Sequence, residues 1–224
     1  MTLFQMKSKS SRRVNDVKSC QEKYCKGIYL KGSEKCDKLD GGNTVLTVWK
    51  KSLLMNCTGF TVFNCKGNLI YRVDNYRARP GEIVLMDASG TSMFTMRRHK
   101  TLRLVDDWLV YQGDASDQNS KKKQPLCYVK KNVNILQTNS NVLAQVFLGT
   151  SNKNPTYVIE GSYGRRSCKV IDKLSKKIVA EIKRKEATNG GASFGLEVFH
   201  LIVCPGFDSG FAMTLVLLLD QMFS

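Results

Sequence analysis

Gly191-Ala192-Ser193-Phe194-Gly195 spells G-x-S-x-G, the spacing that raises a nucleophilic serine on a sharp strand-to-helix turn. Such an elbow needs a strand before it, a helix after it, and an acid then a histidine downstream. Here a polar Asn-Gly-Gly run precedes the serine, a strand pattern follows it, and His200 comes before Asp208. That order does not suit acyl transfer. The chain has 2 histidines, His99 and His200, which excludes a histidine-rich metal centre. Cys20, Cys25 and Cys36 lack the paired short spacing of a zinc site. The run Asp114 to Asn119 faintly resembles a calcium loop, but it has no sixth-position Gly and Pro125 replaces the closing Glu. No glycine-rich phosphate cradle occurs. The reading is a protein that is not an enzyme and carries no cofactor or metal.

What chemistry remains is that of charge. Lys and Arg number 35 against 19 Asp and Glu, a formal net charge of +16, which points to anionic partners: lipid headgroups, nucleic acid or acidic protein. Three clusters stand out. Arg97, Arg98 and Lys100 form the first. Lys121, Lys122 and Lys123 with Lys130 and Lys131 form the second. Lys176 and Lys177 with Lys183, Arg184 and Lys185 form the third. Each cation near an anionic membrane is worth about 1 kcal/mol, so four or five on one face would recruit the protein. A single one reads only as a solvated charge guarding a strand edge.

The elements that must position these charges are strands. Phe60 to Phe63 turns at Asn64-Cys65-Lys66-Gly67 into Leu69 to Val73. Ile83 to Met86 turns at Asp87-Ala88-Ser89-Gly90 into Met93 to Met96, and Ser167 to Ile171 turns at Asp172-Lys173-Leu174-Ser175 into Ile178 to Ile182. An Asn or Asp side chain bonds the backbone two residues on, and Gly supplies the positive φ that closes such turns. The third copy lacks the Gly, so its turn must differ. Thr44 to Trp49, Leu102 to Val105, Trp108 to Gln112, Leu126 to Lys130, Ala144 to Leu148, Tyr157 to Glu160 and Glu197 to Cys204 follow the same grammar. About a dozen antiparallel strands result, and joining first to last removes the exposed edges.

The tail differs from everything before it. Ser209 to Ser224 reads SGFAMTLVLLLDQMFS, apolar on every side of a helix expected over about 209–222, with Asp208 or Ser209 as its cap. A helix that is apolar all round must be buried in lipid or in protein. Spanning a bilayer takes about 20 apolar residues, and the uncharged run from Phe211 stops at Asp220. Its host is therefore the barrel.

Cys65, Cys127, Cys168 and Cys204 sit in or beside strand patterns, where free thiols act as small hydrophobes. With no signal peptide in the opening residues, a reducing intracellular setting is expected: cytoplasmic, peripheral at a membrane or nuclear. Residues 1–42, polar and weakly periodic, read as a basic arm with a short strand near Gly27 to Leu30; 43–224 form the barrel domain.

Leu46-Thr47-Val48-Trp49-Lys50-Lys51-Ser52-Leu53, the hairpin ending Arg72-Val73-Asp74, and Ile83 to Asp87 followed by Gly90 are similar to the plant LURP-one-related family. So are Arg97-Arg98, Gly161-Ser162, Arg166-Ser167-Cys168 and the terminal Leu-Leu-Leu-Asp-Gln. The resemblance runs over roughly residues 44–223. It implies a tubby-like fold, a twelve-stranded barrel threaded by a hydrophobic C-terminal helix, in a superfamily that also holds phosphoinositide-binding tubby proteins and phospholipid scramblases. It further implies a link to plant defence. No phosphoinositide-site motif carries over residue by residue.

Two functions follow. The first is a monomeric, non-enzymatic module for phosphoinositides or another anionic membrane surface, acting as a membrane-tethered signalling or transcription-related protein. The second, weaker one is nucleic-acid binding: Tyr71, Phe94 and Tyr128 lie in strands where packing explains them, and no stacking platform or recognition helix is legible. Scramblase-like lipid transport ranks last.

Overall fold

Alternation of buried and outward residues runs through nearly every strand of this protein, as a sheet with one face on a core requires. The computed structural model describes residues 42–55, 57–74, 81–99, 107–115, 124–132, 141–149, 154–186 and 194–224. Residues 1–41 of the arm, the strand expected at Leu102 to Val105, and Lys100, Lys121, Lys122, Lys123 and Ser193 lie outside these.

The described strands are β1 (Thr44–Trp49), β2 (Gly59–Phe63), β3 (Leu69–Asp74), β4 (Glu82–Asp87), β5 (Ser92–His99) and β6 (Asp107–Gln112). They continue as β7 (Cys127–Lys131), β8 (Val142–Leu148), β9 (Tyr157–Ser162), β10 (Ser167–Asp172), β11 (Ile178–Arg184) and β12 (Val198–Val203). Each pairs antiparallel with the next, and β1 pairs with β12 from Thr44↔Val203 to Trp49↔Val198, so the meander closes into a barrel. Closure leaves no open sheet edge.

The three turns keep their expected logic. Asn64 Oδ1 accepts from the Lys66 and Asn68 amides, Asp87 Oδ1 from Thr91, and Asp172 Oδ1 from Leu174 and Ser175. Gly67 (φ 80°) and Gly90 (φ 90°) take the left-handed position in the first two. In the third the loop is one residue longer, and Lys176 itself adopts φ 58°, its amide bonded to the Asp172 carbonyl.

Helix α1 (Ser209–Phe223) fills the barrel. Asp208 caps it, Oδ1 accepting from the Phe211 amide at 2.6 Å. Gly210 to Asp220 are all buried. Wall residues meet the helix from several sides: Tyr71 of β3 hydrogen-bonds Ser209, while Phe94 of β5 and Tyr157 of β9 pack on Phe211. Inward residues such as Val48, Met96, Val129, Ile159 and Leu201 complete this core. The helix continues past Asp220, as the expected span of about 209–222 requires. Asp220 is a buried residue inside a helix that runs to Phe223, because the barrel supplies partners for its carboxylate.

Candidate functional site

In a closed antiparallel meander, odd strands all finish at one end of the barrel, where even strands start. Helix α1 enters from the opposite end, directly after β12 and Asp208, so its C-terminus emerges where the odd strands finish. Basic residues crowd that end. Lys50 and Lys51 follow β1; Arg97 and Arg98 finish β5; Lys130 and Lys131 finish β7. Arg165 and Arg166 follow β9, Lys183 and Arg184 finish β11, and Lys185 follows it.

Part of this rim serves the fold. Asp220 Oδ1 receives the Lys50 ammonium at 2.9 Å, the Tyr163 hydroxyl at 3.1 Å and the Ser224 hydroxyl at 2.7 Å. Burial chiefly, then the Asp220 charge, pushes the Tyr163 phenol well above its ordinary range, so it stays a donor. Lys131 Nζ donates to the Met222 carbonyl at 2.6 Å and lies over the Phe223 ring. Two cations thus face the electronegative end of the helix, where they are favourable. Arg166 is buried; it stacks on Tyr163 and Phe199 and donates to the Leu196 carbonyl at 2.9 Å. Gly161 (φ 119°) permits the approach of β9 to β10 just before this turn, since a Cβ there would run into the Ser167 carbonyl oxygen.

Other candidates lie along the outer wall. Arg97 Nε pairs with Glu82 at 2.6 Å, Lys130 with Asp107 at 3.6 Å, and Lys183 with Glu181 at 2.6 Å. Lys130 also sits over Tyr128 and Phe147, whose rings are stacked at 4.7 Å. Lys51, Arg165, Arg184 and Lys185 meet no carboxylate among the described residues; all are exposed except Lys185, which is half-buried over the Phe194 ring.

The structure therefore brings together Arg97, Arg98, Lys130, Lys131, Lys183, Arg184 and Lys185 at one end, with Lys50, Lys51, Arg165 and Arg166 added. It separates Lys176 and Lys177, which precede β11 and occupy the opposite end. Strand polarity splits a cluster that looked continuous along the chain. Lys50-Lys51 and Arg165-Arg166 are isolated pairs along the sequence, and only their shared place after odd strands joins them to this rim.

Of the other residues weighed as chemistry, His99 is exposed at the end of β5, and His200 lies half-buried on the outer face of β12 opposite Thr47 and Lys183. Burial, then the Lys185 charge, lowers its pKa. Phe194 and Gly195 lead into β12 with no helix after them, so the elbow geometry is missing. Cys127 and Cys168 are buried free thiols, and burial pushes Cys168 up to about 11. No group of three or more metal-binding side chains occurs among the described residues.

The model of the LURP-one-related family matches residues 44–220. LURP-one-related 17 of Arabidopsis thaliana is 52% identical over 192 residues, covering 83% of this chain and 86% of that protein. LURP-one-related 8 of the same plant is 50% identical over 181 residues, 80% of this chain and 87% of the relative. A crystal structure of another Arabidopsis thaliana protein superposes with a TM-score of 0.57 at 27% identity, covering 80% of this chain and 90% of the other. A family match that begins with β1 and ends at Asp220 takes in the whole barrel and the buried stretch of its helix, and so the chain belongs to the LURP-one-related family.

Proposed function

We propose that this protein is a non-enzymatic binding module for anionic phospholipid headgroups, phosphoinositides among them, engaging them with the basic end of its barrel. The observation that carries this reading is the polarity of the charge: the ends of β1, β5, β7, β9 and β11 all deliver cations to one rim. Several of these are neutralised, yet Lys51, Arg165 and Arg184 stay exposed around the same rim. Their combined attraction for an anionic surface is on the order of a few kcal/mol, enough for reversible recruitment. Reversible binding suits a protein that leaves the membrane to signal, in plant defence or transcription, as the family resemblance implies.

Nucleic acid is the weaker reading, because stacking platforms need open aromatic faces. Tyr128 and Phe147 on the outer wall are stacked on each other with planes 5° apart. A scramblase-like role has less support: among the described residues no helix is long and apolar enough to cross a membrane.

Co-flotation of the full chain with vesicles differing in phosphoinositide content, across a salt series and with duplex DNA as competitor, tests the proposal. Headgroup-dependent binding that persists near 0.15 M salt, where the Debye length is about 8 Å, is expected. Binding that follows only total negative charge and vanishes at that salt, or that DNA abolishes, overturns it.

A further inference from the structure

At the basic end, two loops hold large apolar side chains in water. Leu53 (49% exposed), Leu54 (41%) and Met55 (90%) lie in the loop from β1 to β2. Phe194 and Leu196, each 43% exposed, lie in the approach to β12. The loops are neighbours, because β1 pairs with β12 and the Lys50 amide donates to the Glu197 carbonyl at 2.8 Å.

Neither loop is loosely built. Ser52 is buried; its hydroxyl donates to Asp74 at 2.5 Å and accepts from the Leu54 amide at 3.0 Å. Thr61 Oγ1 donates to the Lys51 carbonyl at 2.6 Å, and Arg166 holds the Leu196 carbonyl. Backbone polar groups are thus tied inward while the apolar side chains point out. Nothing in the packing of the barrel requires that arrangement, since these side chains lie outside its core.

The charge around the loops decides what covers them. Lys51 stands two residues before Leu53, and Lys185, next to Arg184 in the chain, lies 4.9 Å from the Phe194 ring centroid. Apolar side chains within a fringe of cations match the boundary between acyl chains and anionic headgroups. A second copy of this face would set like charges against one another.

We propose that Leu53, Leu54, Met55, Phe194 and Leu196 form a membrane-insertion face, flanked by Lys51, Arg184 and Lys185, which seats the barrel on anionic lipid with the C-terminal end of α1 toward the bilayer. This rests on the headgroup reading and adds to it a depth and an orientation. Leu174, 77% exposed in the turn between β10 and β11 at the opposite end, stays in water.

The test uses the full chain and phosphatidylcholine vesicles with and without phosphatidylserine or a phosphoinositide. Leu54→Trp reports insertion: its emission shifts blue, and lipids brominated on the acyl chain quench it, only when anionic lipid is present. Replacing Leu53, Leu54 and Met55 together by Ser weakens anionic-vesicle binding by about tenfold or more, whereas Leu174→Ser leaves it unchanged. An unchanged thermal midpoint shows that the triple variant folds. If the wild type binds anionic vesicles but the triple variant binds equally and the Trp emission stays put, the insertion face is overturned and the headgroup reading stands. If the wild type binds no vesicle, both fall. A dimer in sedimentation that the triple variant abolishes also overturns the insertion face, assigning these side chains to a second copy.

Discussion

Lys50 Nζ lies 2.9 Å from Asp220 Oδ1, joining the residue that leaves the first strand to the last buried turn of the internal helix. The carboxylate is nearly enclosed (8% exposed) while the lysine reaches water (29%), so the two partners are not equivalent. Removing the lysine strands a buried charge on two hydroxyl donors. Lys50→Ala should therefore lower unfolding stability by roughly 1–3 kcal/mol, below the cost of breaking a fully buried pair because water can reach the site. Chemical denaturation at neutral pH measures it. A change under a few tenths of a kcal/mol would mean the ammonium contributes nothing net.

Leu217 is 1% exposed at the centre of the apolar helix. Leu217→Ala should cost about 2–5 kcal/mol through lost contacts and the cavity left behind. Leu217→Asp puts a carboxylate there with no partner, a penalty comparable to the whole stability of about 5–15 kcal/mol expected for such a domain. Circular dichroism should show the Asp variant without a cooperative thermal transition. A folded, monomeric Leu217→Asp protein would contradict the enclosed helix.

His200 carries the clearest pH prediction, because burial and the nearby Lys185 depress its pKa below the ordinary 6.5. A depressed histidine binds its proton more readily in the unfolded chain, so stability falls as pH drops from 6.5 toward the folded value. His200→Gln should flatten the stability profile over that window and leave neutral pH nearly unchanged. Denaturation midpoints at pH 5.5 and 7.5 test the sign, and an identical slope in both proteins would refute it.

Lys176 adopts φ 58° where the two related turns place glycine. Left-handed backbone costs a side-chain-bearing residue on the order of 1 kcal/mol, so Lys176→Gly should be neutral to stabilising by up to about that amount. The same variant bears on function. Lys176 and Lys177 sit at the barrel end away from the basic rim, so Lys176→Gly and Lys177→Glu should leave vesicle binding unchanged, while Arg184→Glu with Lys185→Glu weakens it. Equal loss from both pairs would show that total charge, not position, governs binding.

Much of the fold could be read from the chain because its signals are local. The Asx turns at Asn64, Asp87 and Asp172 and the all-apolar run from Phe211 to Leu219 each state their own conformation. The role of Asp220 could not be read this way: its partners Lys50 and Tyr163 come from distant strands, and periodicity says nothing about which wall residues face a given helix turn. The same limit applied to the charges. Lys176 and Lys185 are close in sequence, but β11 carries them to opposite ends; Lys51 and Arg184 are distant in sequence, but β12 sets them two strands apart.

The pairing of Thr44 with Val203 has a temporal consequence. β1 ends at Trp49, whereas β12 begins at Val198 and the helix that fills the interior at Ser209, so the first strand is made well before its second neighbour and the filling of the interior. Until α1 is in place, the folding sheet is an unclosed curve with an empty apolar lining. Long-range closure of this kind is slow and prone to aggregation. Barrel closure is therefore a late step of folding, and its yield should depend on chaperones that shield β1 while it waits for β12.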